Sequence, residues 1–310
     1  MASGTWANKV SHLKAYIAFT SYFGVEDFPI QLGVLLRFIA LLARGPYAYG
    51  SAANVIGSIR WFTSILAPSS ETVFDAVLVS ASLKGLKVQL SRPPRQKLPF
   101  TVAHLAQFHA ILDLADVKQL AVWCAMLLAF FGCLRLSNLV SASKNSFDPR
   151  KQLKRNDILF KENLVLVFYK WSKTNQNAMK MSWIPIHTVS DDRFNLKSYL
   201  KSLFAQVKAP SDAPLFTFKK NDFHAKSSLS RSLDQCVFKA GLSVGDYSWH
   251  SFRRGAAMFA FELGLSDTAV QLLGDWSSPA FKQYLEFAFI RKAKVAKQIS
   301  KSFDTCVKKL

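Results

Sequence analysis

Apolar residues recur at intervals of three and four through much of the first ninety residues. The stretches PIQLGVLLRFIALLARG and AANVIGSIRWFTSILA follow this rhythm, which is typical of helices that bury one face. A looser repeat precedes them, and a further helix is predicted in SETVFDAVLVSASLKGL, with Ser70 as its N-cap. The pattern therefore predicts a bundle of four helices as an N-terminal domain over residues 1–90.

The segment SRPPRQKLPF, residues 91–100, interrupts this periodicity. It contains three prolines and three basic residues. Proline disfavours helix and favours extended chain, so such a segment is typical of a linker between domains. We place the domain boundary here.

The sequence after the linker mixes helical and strand patterns. A helical region from about Thr101 to Leu139 contains the apolar run LAVWCAMLLAFFGCL. Further on, NLVLVFYK and MSWIPI are rich in β-branched and aromatic residues and predict two strands of a long hairpin, whose tip carries Lys173. Helical patterns return beyond residue 192. The predicted fold class is mainly α with a small β-sheet, in which the N-terminal bundle is followed by an α+β domain.

The charge of the chain indicates its partner. Forty Lys and Arg stand against twenty Asp and Glu, a formal net charge of +20. Residues 1–90 hold seven basic and four acidic residues, a net of +3, which leaves +17 for residues 91–310. A basic excess of this size favours a polyanion such as nucleic acid.

Several classes of protein are disfavoured. The longest apolar run is shorter than the roughly 18 residues that a membrane crossing requires, so no membrane association is expected. The first residues lack a secretory pattern, and an intracellular protein is expected. The four cysteines are widely spaced and form no C-x-x-C pair, which favours reduced thiols and no metal site.

Arg135 and the pair of His250 and Arg253 are candidates for chemistry. Arg135 is expected to end the most apolar helix, where a guanidinium is costly to bury without an anion. Alternatively, it pairs with a carboxylate or with helix carbonyls. His250 and Arg253 are three residues apart in the first turn of a helix that Ser248 could cap and Gly264 could end. They would share a side and could hold a phosphate at the helix N-terminus. Alternatively, His250 is a core histidine and Arg253 belongs to a solvated arginine pair.

A last helix is predicted in the stretch GDWSSPAFKQYLEFAFIRK, with Ser278 as its cap and Pro279 in its first position. Tyr284 lies at the margin of its apolar face, where a tyrosine is usually part of an amphipathic wall. Trp276 alone would be ordinary core.

Along residues 135–284 the candidates come in the order arginine, hairpin lysine, His-x-x-Arg, tryptophan and tyrosine. This order resembles that of the tyrosine recombinase family. The phrases GCLRLSNLV, HSFRRGAA and LLGDWSSPAFKQYLEF look most like the recombinases of eukaryotic mobile elements of the DIRS and Crypton kinds. The resemblance covers most of residues 97 to 290 and extends more loosely to the N-terminal bundle. It implies a core-binding domain in residues 1–90 and a catalytic domain in residues 101–290.

The resemblance also implies one site made of six residues. Tyr284 would be the nucleophile, and Lys173 the general acid, with Lys170 as a nearby rival. The other four would clamp the scissile phosphate or complete its pocket: Arg135, His250, Arg253 and Trp276. The implied reaction is cleavage and rejoining of DNA through a 3′-phosphotyrosyl link, in the integration or excision of a mobile element.

Two positions depart from the family pattern. An acidic residue usually stands three positions after the first arginine, and here Asn138 stands there. In many bacterial members the pocket residue precedes the tyrosine by nine positions, one more than Trp276 precedes Tyr284, which would select Asp275. We prefer Trp276, because an indole donates to a phosphate oxygen whereas a carboxylate repels it.

The chemistry suits these residue types. Arginine offers forked donors for phosphate oxygens, and tyrosine needs help with its proton because its ordinary pKa is about 10. No cofactor or metal is expected. The sequence contains no Walker motif of the GxxxxGKS or GxxxxGKT form and no carboxylate cluster for a two-metal nuclease.

The expected partner is double-stranded DNA, held between the two domains. The basic tail 291–310 spaces four apolar residues at intervals of four, Val295, Ile299, Phe303 and Val307. This tail either folds back on its own domain or, as the resemblance implies, docks on a neighbouring protomer in a tetrameric synapse. A helix on a membrane surface is a third alternative, which the lack of tryptophan in the tail disfavours. A nuclear location follows from the implied role.

Two other functions stay open. A domesticated recombinase that binds DNA without cleaving it would have the same fold and charge. A type IB topoisomerase would use similar phosphotyrosine chemistry without sequence specificity.

Overall fold

The computed structural model describes residues 3–91, 96–171, 182–219 and 222–276. The packing of Cα atoms divides the chain into two compact units, Met1–Arg95 and Gln96–Leu310. The six residues of the predicted site all belong to the second unit.

The first unit is a helical bundle. Its core lies among aromatic and aliphatic side chains, with the rings of Tyr16 and Phe38 in edge contact at 5.1 Å. The three-and-four spacing of the second helix buries one face of it, as the sequence predicts. The helices in the described part are α1 Ser3–Phe23, α2 Leu32–Arg44, α3 Tyr49–Leu66 and α4 Val77–Leu90.

The fourth helix begins later than the sequence predicts. Ser70 lies inside a 3₁₀ helix, Pro68–Asp75, and does not cap an α-helix. The Ser70 hydroxyl instead donates to the carbonyl of Ala67 at 3.0 Å and accepts from the amide of Ile30 at 3.3 Å. The prediction of Ser70 as an N-cap is therefore wrong, because the buried hydroxyl ties this turn to the chain before α2.

The second unit combines helices with two small antiparallel sheets. Its helices are α5 Val102–Ile111, α6 Val117–Phe131, α7 Leu136–Leu139, α8 Leu196–Gln206, α9 Lys226–Lys239, α10 His250–Glu262 and α11 Asp267–Leu273. Its strands are β1 Ile158–Phe160, β2 Leu164–Tyr169, β3 Ser182–His187, β4 Thr217–Lys219 and β5 Asp222–Phe223. The strand order is β1-β2-β3 in one sheet and β4-β5 in the other. This arrangement confirms the predicted class, mainly α with a small sheet.

Helix α6 forms the centre of the second unit. Every residue from Leu120 to Phe130 is buried, and α8 and α10 pack against it. The helix ends at Phe131, four residues before Arg135. The expectation that Arg135 ends this helix is therefore wrong. The chain turns at Cys133, whose φ is +50°, and the arginine begins the next short helix.

The predicted hairpin is confirmed in its strands. Strands β2 and β3 pair antiparallel, with Val167 opposite Ile184 and Tyr169 opposite Ser182. The tip, residues 172–181, lies outside the described residues. The short β4-β5 hairpin was not predicted, since strands of three and two residues carry no readable alternation.

Part of the predicted linker packs onto the second unit. The amide of Leu98 donates to the carbonyl of Asp246 at 2.8 Å, and that of Phe100 donates to Ser251 at 3.0 Å. The Phe100 ring is fully buried. Helix α10 approaches so closely that a Cβ on Gly255 would lie 1.8 Å from the Phe100 carbonyl oxygen. Residues 96–100 are thus structural, whereas residues 92–95 lie outside the described part.

Neither a membrane-spanning helix nor a cluster of metal ligands is found in the described ranges. Of the helices in the described ranges, none has both the length and the apolar character that a membrane span needs. Within the same ranges, no three His, Cys, Asp or Glu side chains gather as metal ligands would. Cys124, Cys133 and Cys236 are buried thiols, and Cys306 lies outside the described residues.

Candidate active site

The first turn of α10 carries His250 and Arg253, as predicted. The Ser248 hydroxyl accepts from the amide of His250 at 3.3 Å, and Gly264, with a φ of +86°, follows the end of the helix. Glycine adopts this left-handed conformation readily, which explains the stop.

Arg253 joins two loops beneath the site. Its side chain is 3% exposed. One terminal nitrogen donates to the carbonyl of Cys133 and the other to that of Gly274. These carbonyls belong to the turns that follow α6 and α11, and Asp275, next to Gly274, also has a positive φ of +49°. Arg253 therefore holds two sharply bent loops against α10.

Arg135 lies on the loop that Arg253 holds, two residues after Cys133. Its backbone forms the N-cap of α7. Its Nη1 atom is buried and has no hydrogen-bond partner among the described residues. An unsatisfied charged donor is costly in a protein interior. Arg135 is therefore not fully paired with a carboxylate or with helix carbonyls, because its Nη1 atom has no such partner among the described residues. This nitrogen can donate to an incoming anion.

His250 lies in the field of three arginines. Desolvation by the surrounding protein, followed by the positive charges of Arg253, Arg254 and Arg135 in that order, lowers the pKa of His250 to about 4. Burial raises the pKa of the Cys133 thiol to about 11, against the opposing effect of Arg253 and Arg135. Arg253 donates to the carbonyl of Cys133, two residues before Arg135, so the two predicted clamp arginines lie at the same turn.

The alternatives for this pair are wrong in the structure. His250 keeps an exposed surface although the protein around it partly desolvates the ring, so it is not a core histidine. Arg253 and Arg254 are each 3% exposed, so they are not a solvated pair. Arg254 donates to the side-chain oxygen of Gln96 and thereby ties α10 to the segment before α5.

Trp276 covers Arg253. The guanidinium carbon lies 4.3 Å from the centroid of the indole ring, within cation–π range. Trp276 is 7% exposed, whereas Asp275 is exposed to solvent. Of these two neighbours, only the tryptophan packs on the arginine in the described structure. Gly274 makes this possible, since a Cβ there would lie 2.0 Å from the Trp276 ring.

Lys170 is engaged elsewhere. Its ammonium forms a buried ion pair with Asp157 and donates to the carbonyl of Pro149 at 2.7 Å. Burial lowers the pKa of Lys170 although Asp157 opposes this effect. This fixed position disfavours Lys170 as the rival general acid. Lys173 and Tyr284 lie outside the described residues.

Asn138 links Arg135 to the hairpin, a connection that sequence reasoning missed. Its Oδ1 accepts from the amide of Arg135 at 3.3 Å, and its Nδ2 donates to the carbonyl of Trp171. The sequence signalled only that an amide replaces the family's acidic residue. The structure thus brings together Arg135, His250, Arg253 and Trp276, with Asn138 behind them.

Comparisons with known proteins agree on the fold. No protein-family model matches the sequence, and no curated protein sequence matches it. Solved structures do match. A lambda integrase dimer bound to a COC′ core site is 19% identical, with a TM-score of 0.58 over 92% of this chain and 72% of that one.

Two further solved structures also match this chain. The XerH site-specific recombinase, bound to a palindromic difH substrate in a post-cleavage complex, is 15% identical, with a TM-score of 0.64 over 94% of this chain and 78% of that one. The Tn1549 transposon integrase in complex with transposon right end DNA is 13% identical, with a TM-score of 0.64 over 96% of this chain and 94% of that one. All three are tyrosine recombinases or integrases. The mainly helical chain described above therefore has the tyrosine recombinase fold.

Proposed function

We propose that this chain cleaves and rejoins double-stranded DNA through a 3′-phosphotyrosyl intermediate, in the site-specific integration or excision of a mobile element. The observation that carries the proposal is the cluster of Arg135, Arg253 and His250. Arg135 is distant in sequence from the other two residues, and both arginine charges act on the histidine. The net charge of +20 supports a polyanionic substrate. The fold is shared with recombinases solved in complex with DNA.

In the proposed reaction, the phenolic oxygen of Tyr284 attacks the scissile phosphorus, and the phenolic proton passes to the neutral ring of His250. A phosphotyrosyl bond forms as the bond from phosphorus to the 5′ oxygen breaks. Lys173 gives a proton to the departing 5′ oxygen, which is otherwise a poor leaving group. A 5′ hydroxyl of a second strand then reverses the step and restores a DNA phosphodiester. No bond energy is lost, so no nucleotide cofactor is needed.

The arginines and the histidine stabilise the transition state. Charge accumulates on the non-bridging oxygens as the tyrosine attacks, and the forked donors of Arg135 and Arg253 match those oxygens. His250 is neutral at pH 7 because its pKa is about 4. A neutral ring has one donor and one acceptor nitrogen, so it can bond to a phosphate oxygen or receive a hydrogen bond from the phenol. The indole ring of Trp276 packs on the guanidinium of Arg253 and helps to hold it in place.

The finer features of the proposal come from the family resemblance. Residues 1–90 would bind the core site, residues 101–290 would carry catalysis, and the tail 291–310 would dock on a neighbouring protomer. A lambda integrase tetramer bound to a Holliday junction, 19% identical with a TM-score of 0.59, supports a tetramer on DNA. The kinship with DIRS and Crypton recombinases and the nuclear location belong to the same proposal.

Covalent capture tests the proposal without knowledge of the target site. The protein is incubated with a randomised library of nicked duplexes, in which cleavage releases a short strand and prevents rejoining. Wild-type protein should yield DNA adducts that survive denaturant, and Tyr284→Phe should bind DNA yet form none. An adduct in Y284F would refute the nucleophile. Tight binding without any wild-type adduct would favour a silent DNA-binding protein, and relaxation of arbitrary supercoiled plasmid would favour a topoisomerase.

A further inference from the structure

Asn138 connects two segments that are distant in sequence. It occupies the third position of α7 and is buried. Its side-chain oxygen accepts from the amide of Arg135 at 3.3 Å, and its side-chain nitrogen donates to the carbonyl of Trp171. Arg135 belongs to the anion site, and Trp171 lies two residues after the end of strand β2. The amide therefore bridges the first arginine and the base of the hairpin.

The chemistry of the two partners fixes the orientation of the amide. A backbone N–H can only donate and a backbone carbonyl can only accept, so the bridging side chain must offer one acceptor and one donor. Asparagine meets this requirement at any ordinary pH. An ionised aspartate has acceptors alone, and it would place negative charge against the Trp171 carbonyl. The acid that the family usually carries at this position would not make this contact in its charged form.

Neighbouring contacts make the bridge rigid. The carbonyl of Asn138 accepts from the amide of Leu153 at 3.1 Å. Next to Trp171, the buried pair of Lys170 and Asp157 anchors the end of β2. Charged groups near the bridge include Arg135, this ion pair, Asp148 and Lys154, which act on Lys170, and Lys151, whose ammonium lies 6.0 Å from the Trp171 ring centroid. Among the hydrogen bonds of the described residues, only those of the Asn138 side chain join Arg135 to Trp171.

We propose that Asn138 is a positioning residue that sets the distance between Arg135 and the hairpin carrying Lys173. The proposal rests on the proposed function, in which Arg135 holds the phosphate and Lys173 protonates the leaving oxygen. Lys173 follows Trp171 by only two residues in the sequence. Fixing the Trp171 carbonyl therefore limits where the general acid can act. A displacement of about 1 Å at a reacting group can cost roughly 100-fold in rate.

The test compares Asn138→Asp with Asn138→Leu across pH. The rate of covalent adduct formation is measured on nicked DNA from pH 5 to pH 8 and divided by the wild-type rate, which cancels titrations common to both proteins. At pH 8, N138D should be slower by about 10- to 100-fold, with unchanged affinity for DNA. The deficit should shrink as the pH falls, because a protonated carboxyl again donates to the Trp171 carbonyl. N138L should be slow at every pH.

A modified substrate tests the link to Lys173. DNA with sulfur in place of the scissile 5′ oxygen releases a thiolate, which needs no proton. If Asn138 positions the general acid, the N138D deficit at pH 8 should largely disappear on this substrate. A deficit of the same size on both substrates overturns the proposal, because it would mean that N138D impairs the site without acting through Lys173.

If N138D folds poorly, its free energy of unfolding provides a second test. The native contact favours the protonated form of an aspartate at this position, so its folded pKa is raised. The free energy of unfolding of N138D relative to wild type must then improve as the pH falls. A stability deficit independent of pH overturns the proposal, as does N138D with wild-type rates at pH 8. A wild type that forms no adduct overturns the proposed function itself, a result distinct from either.

Discussion

The guanidinium of Arg253 lies 4.3 Å from the ring centroid of Trp276, and its two terminal nitrogens donate to the carbonyls of Cys133 and Gly274. One side chain thus connects α10 with the loops after α6 and α11. The loop after α6 leads to Arg135. In the proposed reaction, Arg253 would therefore act on the phosphate both directly and through the neighbours that it orders.

Arg253→Lys should therefore lower the rate of adduct formation by more than its conserved charge suggests. An ammonium is a single point donor and cannot span two carbonyls as a planar fork does. We expect adduct formation to fall by at least about 100-fold, the range observed when one transition-state donor is removed. Trp276→Phe keeps an aromatic face over Arg253 and serves as the matched control, with a smaller loss. Single-turnover cleavage measures both, and an R253K rate within threefold of wild type would contradict the assignment.

A second prediction concerns the contact between α10 and the segment before α5. Gly255→Ala would place a Cβ 1.8 Å from the carbonyl oxygen of Phe100, a backbone atom that cannot rotate away. We expect a loss of about 1–3 kcal/mol in the free energy of unfolding, as for other overpacked sites. Gly85→Ala in α4 meets nothing within 4 Å. It should instead stabilise by about 0.5–1 kcal/mol, because alanine is the better helix former.

Urea unfolding monitored by circular dichroism measures both glycine variants. The two changes are chemically identical, so a difference in sign isolates the close approach at Gly255 from helix propensity. Equal effects in the two variants would mean that the segment can shift away from α10.

The sequence predicts those features that local pattern determines. The buried face of α2 follows from spacing alone, and the strands of the β2-β3 hairpin follow from their β-branched and aromatic content. The start of α10 follows from Ser248. In each case the deciding interactions lie within a few residues, so the linear pattern contains them.

Other features depend on what a distant segment supplies. Arg254 next to Arg253 suggests a solvated pair, yet Gln96 provides an acceptor for it. Ser70 suggests a helix cap, yet the amide of Ile30 uses its hydroxyl. The bridge from Asn138 to Trp171 spans a separation of 33 residues. No local pattern encodes these partners, because they exist only after the chain has folded.

A third prediction tests the buried pair of Lys170 and Asp157, which are 9% and 6% exposed. Asp157→Asn would leave a buried ammonium without its countercharge. Breaking such a pair costs about 3–5 kcal/mol. The exposed pair of Lys144 and Asp222 gives the control, since Asp222→Asn should cost less than about 1 kcal/mol. Denaturant titration at pH 7 compares them, and equal losses would show that Lys170 is not held as described.

The last prediction is the protonation state of His250. Its ring should titrate with a pKa of about 4, well below the ordinary 6.5, because of desolvation and then the charges of Arg253, Arg254 and Arg135. Nuclear magnetic resonance of the labelled ring measures this value. Arg254→Gln should raise it toward 6.5 by removing one of the charges. A ring that titrates at 6.5 or higher in the wild type would contradict the proximity of the arginines.

The sign of the accompanying effect on stability follows from proton linkage. Between pH 6.5 and 4 the unfolded chain binds a proton at His250 that the folded chain does not, so the free energy of unfolding falls as the pH decreases through this window. Burial also lowers the pKa of His104 and His224, so these residues contribute in the same direction. The difference between wild type and His250→Gln isolates the part due to His250. Because the lowered pKa keeps the ring neutral at pH 7, cleavage normalised to folded protein should not decline between pH 8 and pH 6 through this residue.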